Sequence, residues 1–127
     1  MTTILVVDDQ PNVRELFKEE MQDEGYGVIS VGDAEAARRL VKDFKPNLVL
    51  LDLYLNGFEG WELLRDIKKS DPDLPVLIVT AYDNYHDDPR TSEADGYIVK
   101  NLMAFETLKQ RIADILTEES SYNGIND

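Results

Sequence analysis

The residues most capable of chemistry stand where apolar runs of the sequence end. Three such runs end in acidic or hydroxyl side chains, and a fourth ends in a lysine. The side chains concerned are Asp8 and Asp9, Asp52, Thr80 and Lys100. Ligand sites in open α/β sheets lie outside the carboxyl ends of the strands. If the runs are parallel strands, these side chains therefore come together at one edge of a sheet.

This combination of groups predicts a phosphoryl-transfer site. Neighbouring carboxylates repel one another unless a cation offsets their charge, and Mg²⁺ or Mn²⁺ is the natural partner because both prefer oxygen ligands. Lys100 offers a point charge for a phosphate oxygen, and the Thr80 hydroxyl can donate a hydrogen bond to another. Positioning and charge neutralisation supply most of the catalysis in such sites. Seen alone, Asp8 or Asp9 would be a helix cap and Asp52 a turn residue, so the prediction depends on the whole set.

The elements that must position these groups alternate between strand and helix along the chain. The apolar, β-branched runs are typical of strands buried on both faces, and the segments between them carry apolar residues at helical spacing. The predicted strands lie at residues 3–7, 26–31, 48–51, 75–79 and 97–99. This alternation predicts an α/β domain, a doubly wound parallel sheet of five strands with helices on both faces.

The segment between the fourth and fifth strands departs from this pattern. A helix is expected there, yet residues 82–91 have no apolar stripe and include Pro89. Proline inside a helix costs about 3 kcal/mol. We therefore predict a long loop, with at most a short or irregular helix from about Pro89 to Ala94.

Length and composition indicate one ordinary globular domain. The 127 residues fit a single domain, which we place at residues 1–119, followed by a loose polar tail at residues 120–127. No cysteine is present, which excludes disulfides and thiolate zinc sites and predicts a cytoplasmic location. The formal net charge of −13 argues against direct binding of nucleic acid. No apolar run approaches a membrane span, so no membrane insertion is expected.

Five segments together make the sequence similar to the response-regulator receiver family of two-component signalling. They read ILVVDD at residues 4–9, LVLLDL at 48–53, GFEG at 57–60, VLIVTA at 76–81 and DGYIVK at 95–100. The resemblance extends over roughly residues 3–117, and the set is highly specific although each segment alone would be weak. It implies a flavodoxin-like fold with five parallel strands in the order 2-1-3-4-5 and five helices.

The resemblance also implies how the acidic residues act. Asp52 would be the phosphoacceptor, and the donor would be a phosphohistidine on a sensor histidine kinase or a phosphotransfer protein. Asp9 would bind Mg²⁺ directly, Asp8 would assist or act through a bound water, and the backbone carbonyl of Tyr54 would be the remaining protein ligand. The chain would then be a phosphoacceptor that assists its own phosphorylation and dephosphorylation, and not an enzyme.

Further residues are implied in the response to phosphorylation. Thr80 would hydrogen-bond a phosphoryl oxygen after transfer, Lys100 would pair with it, and Tyr97 matches an aromatic position that changes orientation on activation. Thr80 and Tyr97 would act as the switch, and the changed surface would bind a downstream protein partner. Tyr54 and Tyr82 each stand two residues after an acceptor-site residue, and we hypothesise that they hinder attack by water on the phosphorylated state.

Two departures from the family pattern bear on the output. Asn101 stands where the family usually has proline, often with a cis bond before it. A cis bond before a non-proline residue costs about 2.5–4 kcal/mol. Only 20 positions separate Thr80 from Lys100, slightly fewer than is usual for the family. The acceptor chemistry is therefore expected to be intact, while the mode of output does not follow from the resemblance.

Other interpretations of the acidic residues are open at this point. A degenerate receiver would be a protein-binding module only, which the complete set of acidic positions argues against. A phosphatase with an aspartate nucleophile would need a second acid two residues after Asp52, where Tyr54 stands. A small flavin carrier would need a Ser/Thr/Gly-rich loop after the first strand, and Asp8 and Asp9 would repel its phosphate.

Overall fold

Apolar runs of the sequence form one sheet of parallel strands in the computed structural model, which describes residues 2–57, 59–82, 84–100 and 104–125. The strands are β1 (Thr3–Val7), β2 (Gly27–Val31), β3 (Leu48–Leu51), β4 (Val76–Thr80) and β5 (Gly96–Val99). Every strand begins and ends within one residue of its predicted position. The order across the sheet is β2-β1-β3-β4-β5, which confirms the predicted topology.

Helices form between the strands because the connecting segments carry start signals and an apolar face. The four α-helices of the described residues are α1 (Pro11–Asp23), α2 (Ala34–Phe44), α3 (Glu59–Ser70) and α4 (Ala104–Ile125). Pro11 starts α1, where the missing amide hydrogen costs nothing. The Asp33 side chain caps α2 by accepting a hydrogen bond from the Ala36 amide at 2.7 Å.

A short 3₁₀ helix, Pro89–Glu93, takes the place of an α-helix between β4 and β5. It corrects the count of five α-helices that the resemblance implied, and it confirms the short helix predicted at Pro89. The Asp88 carboxylate caps it by accepting from the Arg90 amide at 2.9 Å and binds the Arg90 guanidinium at 2.8 and 3.0 Å. Because the segment has no apolar stripe to bury, nothing holds a longer helix against the sheet.

The sheet buries apolar side chains on both faces. Along β1, Leu5 and Val7 belong to one core cluster, whereas Ile4 and Val6 belong to the other. The first cluster includes buried residues of α2 and α3, and the second includes those of α1 and α4. Successive residues of a strand point to opposite faces, so one continuous apolar run fills both cores. This packing fixes the strands and leaves their carboxyl ends for polar side chains.

The last helix runs past the predicted end of the domain, since its backbone stays helical to Ile125. The division between a domain at residues 1–119 and a tail at 120–127 remains a prediction. Asn101, and with it the geometry of its bond to Lys100, lies outside the described residues. Among the helices that are described, none has the length and hydrophobicity needed to cross a membrane.

Candidate functional site

Three carboxylates meet at the carboxyl ends of β1 and β3. Asp8 and Asp9 follow β1, and Asp52 follows β3. The two strands pair in parallel, and the Asp52 amide donates to the Val7 carbonyl at 3.0 Å, so the acidic residues lie level with one another. One carboxylate oxygen from each acid lies within 4.8 Å of the others. The acidic cluster expected from the sequence is therefore present.

Lys100 bridges two of these carboxylates from the end of β5. Its Nζ lies 2.7 Å from Asp8 Oδ2 and 3.0 Å from Asp52 Oδ2. Both acids are buried, with 2% of Asp8 and 8% of Asp52 exposed. Burial alone would lower the pKa of Lys100, but the hydrogen bonds and charges of the two acids outweigh it and raise that pKa. The ammonium group therefore stays charged and offsets part of the repulsion between the carboxylates.

The Asp52 carboxyl group is held from two sides. Oδ2 pairs with Lys100, and Oδ1 accepts a hydrogen bond from the Tyr54 amide at 3.1 Å. Burial raises the pKa of Asp52 above its ordinary value, and the charge of Asp8 adds to the rise. Lys100 and the Tyr54 amide lower the pKa but offset only part of that rise. A poorly hydrated carboxylate with a fixed direction is suited to act as a nucleophile.

Asp9 stands at the more exposed side of the cluster. Its Oδ2 accepts a long hydrogen bond, 3.4 Å, from the Asn56 amide. Asn56 and Gly57 have left-handed backbone with φ of 46° and 94°, and this turn after β3 brings the amide to Asp9. The Asp9 side chain is half-buried, so a cation can reach it from solvent.

Thr80 ends β4 at the same edge of the sheet, and Tyr97 lies on the neighbouring strand β5, where it pairs with Ile78. Thr80 is fully buried, and its carbonyl accepts a hydrogen bond from the Lys100 amide at 2.7 Å. The Tyr82 amide approaches Thr80 Oγ1 at 3.4 Å. The Tyr97 hydroxyl donates to the Tyr82 carbonyl. A path of hydrogen bonds thus joins the two residues predicted to act as a switch.

Tyr54 and Tyr82 are both exposed and lie close together. About two fifths of each is exposed, 41% and 39%, and their ring centroids are 6.0 Å apart. The Tyr82 ring also contacts Tyr85, which contacts Trp61 of α3. The tyrosine pair therefore belongs to a row of aromatic side chains that begins next to Asp52.

Two contacts at this site were not predicted from the sequence. Gly60 lies so close to the segment after β3 that a Cβ there would be 2.5 Å from the Leu53 carbonyl oxygen and 2.6 Å from that of Asp52. Arg14 Nη1 donates to the Asp8 backbone carbonyl at 2.7 Å. Both contacts involve backbone atoms, whose positions do not depend on the residue type of the partner. The available signals were only a glycine in a helical stretch and an arginine six residues after Asp8.

The acidic cluster fits a hard divalent cation. Carboxylate oxygens of Asp8, Asp9 and Asp52 can face one ion, because they lie within 4.8 Å of one another. Mg²⁺ is usually held by one or two carboxylates together with waters and phosphate oxygens. The role of the Tyr54 carbonyl as a further ligand remains a prediction.

Comparisons with known sequences agree with this geometry. The sequence profile of the response regulator receiver domain matches residues 4–113. The two-component response regulator PhoP of Pseudomonas aeruginosa is 32% identical over 121 residues, which cover 94% of this chain and 53% of PhoP. The probable transcriptional regulator ycf27 of Porphyridium aerugineum is 36% identical, and the match covers 89% of this chain and 47% of ycf27. The chain thus spans about half the length of these curated relatives.

Solved structures are similar over nearly the whole fold. The response regulator TrrA of Thermotoga maritima in complex with Mg²⁺ and BeF is 38% identical with a TM-score of 0.86, and the match covers 91% of this chain and 99% of TrrA. TrrA in complex with the histidine kinase ThkA gives a TM-score of 0.84 at 39% identity, with the same coverage. Because the profile, the relatives and the fold agree, the chain belongs to the response regulator receiver domain family.

Proposed function

We propose that this receiver domain accepts a phosphoryl group on Asp52 from a phosphohistidine of a sensor histidine kinase or phosphotransfer protein, in a Mg²⁺-dependent reaction. One observation carries the proposal: buried Asp52 shares a sheet edge with Asp8 and Asp9, with carboxylate oxygens within 4.8 Å, while Lys100 is bound to Asp52 at 3.0 Å. The complexes of TrrA with Mg²⁺–BeF and with ThkA support it by similarity.

The transfer exchanges one bond to phosphorus for another. A carboxylate oxygen of Asp52 forms a bond to phosphorus, the bond from phosphorus to the donor imidazole nitrogen breaks, and that nitrogen keeps the electron pair. Mg²⁺, when held by Asp8, Asp9, Asp52 and the Tyr54 carbonyl, supplies positive charge for the phosphoryl oxygens. The chain itself fixes the nucleophile, since Tyr54 and Lys100 each hold one oxygen of Asp52. It therefore assists its own phosphorylation without turning over a separate substrate.

The response to phosphorylation starts from contacts that already exist. New negative charge at Asp52 attracts Lys100, which is shared with Asp8 beforehand, and offers an acceptor to the Thr80 hydroxyl. Motion of Thr80 reaches Tyr97 through the Tyr82 backbone. The relative populations of two conformations of the domain shift as a result. The altered surface then binds a downstream protein in the cytoplasm. Nucleic acid is not the direct partner, because the net charge of −13 disfavours contact with it.

Intact mass after incubation with acetyl phosphate tests the proposal. Wild type should gain one phosphoryl group in the presence of Mg²⁺ and none in EDTA, and Asp52→Asn should gain none in either. Asp43→Asn is a matched control, because Asp43 is exposed on α2 and its loss changes the net charge equally. If folded wild type gains no phosphoryl group from a range of donors, the chain is a degenerate receiver that works as a binding module.

A further inference from the structure

Arg14, in the second turn of α1, reaches back to the loop that follows β1. Its Nη1 donates a hydrogen bond to the Asp8 backbone carbonyl at 2.7 Å. This carbonyl belongs to the peptide group that joins Asp8 to Asp9. The bond therefore ties α1 to the short backbone segment from which both carboxylates project, and it limits how far that segment can shift.

A gap in front of Gly32 gives the guanidinium group its position. A Cβ at Gly32 would lie 2.7 Å from Arg14 Nη1 and 3.3 Å from Cζ. Among the described glycines, those with a positive φ are Gly25 and Gly57. Glycine at position 32 is therefore not needed for its backbone conformation, which an alanine could adopt; its missing side chain leaves the space that the Arg14 guanidinium occupies.

Other bonds fix the neighbouring atoms but not this carbonyl. The Asp8 amide donates to the Val31 carbonyl at 3.1 Å, and Asp8 Oδ1 accepts from the Gln10 amide at 2.9 Å. Asp8 is buried, so loss of the Arg14 bond would leave a buried carbonyl oxygen that needs a new partner. A rotation of the Asp8–Asp9 peptide toward other donors is the simplest relief.

We propose that Arg14, seated in the gap at Gly32, is a positioning residue that orients the Asp8–Asp9 peptide for binding a divalent cation. The inference rests on the proposed function, in which these acids hold Mg²⁺. Two physical effects of Arg14 on the cation have opposite signs. The positive charge of the guanidinium repels Mg²⁺, whereas its hydrogen bond organises the ligands, and the second effect is the larger.

Mg²⁺ titration by isothermal calorimetry measures that balance directly. Arg14→Gln should weaken Mg²⁺ binding about 10-fold, the low end of the effect of residues that orient metal ligands. Arg14→Lys keeps the charge and one donor, so it should recover part of the loss. Arg39→Gln removes the same charge from an exposed position on α2 and should leave the dissociation constant within about 2-fold of wild type.

Gly32→Ala tests the gap without altering the arginine. The added Cβ should displace the guanidinium and weaken Mg²⁺ binding as Arg14→Gln does, and it should have no further effect in the Arg14→Gln background. Urea unfolding in EDTA distinguishes a role in metal binding from a role in stability. A residue that only stabilises the fold would shift the urea midpoint of unfolding and leave the Mg²⁺ dissociation constant unchanged. This second variant keeps the test decisive if Arg14→Gln does not fold.

Two results overturn the inference. One is Mg²⁺ binding as tight as in wild type or tighter by folded Arg14→Gln, or by Gly32→Ala where Arg14→Gln does not fold; the other is an effect of Gly32→Ala that is fully retained without Arg14. Asp9→Asn distinguishes this failure from failure of the proposed function. If wild type binds Mg²⁺, Asp9→Asn does not, and Arg14→Gln resembles wild type, only the role of Arg14 is wrong. If folded wild type shows no Mg²⁺ binding, the metal dependence of the proposed function is wrong as well.

Discussion

Gly60→Ala is the substitution whose effect follows most directly from distances in the structure. The added Cβ would lie 2.5 Å from both Cα and the carbonyl oxygen of Leu53. Restoring ordinary contact requires the backbones to separate by about 0.9 Å. All nearby atoms belong to backbone and cannot rotate away, so we take the upper end of overpacking costs, about 3 kcal/mol. The higher helix propensity of alanine offsets up to about 1 kcal/mol of this cost, so the free energy of unfolding should fall by about 2 kcal/mol.

The same displacement should slow phosphorylation, because Leu53 directly follows Asp52, the proposed acceptor. A misplacement of about 1 Å can cost about 100-fold in rate, so we expect at least a roughly 10-fold slower gain of mass from acetyl phosphate. Urea unfolding followed by circular dichroism measures the stability, and intact mass measures the rate. Gly25→Ala is the control: Gly25 has φ of 93° with open space around it, so alanine there should cost stability alone. Wild-type stability and rate in Gly60→Ala would refute the argument from close approach.

Three further predictions concern the charges and rings around Asp52. Asp52→Asn should stabilise the metal-free protein at neutral pH; because the pKa of Asp52 is raised by burial, this gain should vanish in urea titrations as the pH falls below the ordinary aspartate range. Lys100→Met should cost about 3 kcal/mol by leaving Asp8 without its cation, and added Mg²⁺ should raise its unfolding midpoint more than that of wild type; equal Mg²⁺ responses would contradict this. Tyr82→Ala should dephosphorylate several-fold faster by mass spectrometry, while Phe44→Ala, which removes a distant exposed ring, should not; equal rates would remove Tyr82 from the shielding hypothesis.

Parallel pairing explains why so much of the site could be predicted from the sequence. Once the apolar runs before Asp8 and Asp52 are taken as neighbouring parallel strands, the two acids must end side by side, and the register Val7 to Leu51 shows this. Lys100 followed in the same way from the last strand. The short 3₁₀ helix was predictable because Pro89 and the lack of an apolar stripe both act locally.

Contacts that depend on register and on backbone atoms could not be predicted. Arg14 reaches the Asp8 carbonyl only because the end of β2 places Gly32 beside it, and no residue type reports that alignment. The resemblance implied that Lys100 pairs with a phosphoryl group, yet its bonds to both Asp8 and Asp52 in the unphosphorylated chain required coordinates. The close approach of α3 at Gly60 likewise depends on how a helix enters beneath a loop.

The bridge from Lys100 to Asp8 also constrains the order in which a growing chain can complete its sheet. The two residues are 92 positions apart, and β5 lies at the edge of the sheet beside β4. A nascent chain that has emerged only through Asp52 can bring Asp8 and Asp52 together but lacks Lys100, the cation that bridges them in the folded chain. Burial of an unpaired carboxylate is costly, so the acidic edge should remain hydrated until β5 docks. Ribosome-bound intermediates should therefore assemble the central strands first and close the reactive end of the sheet last.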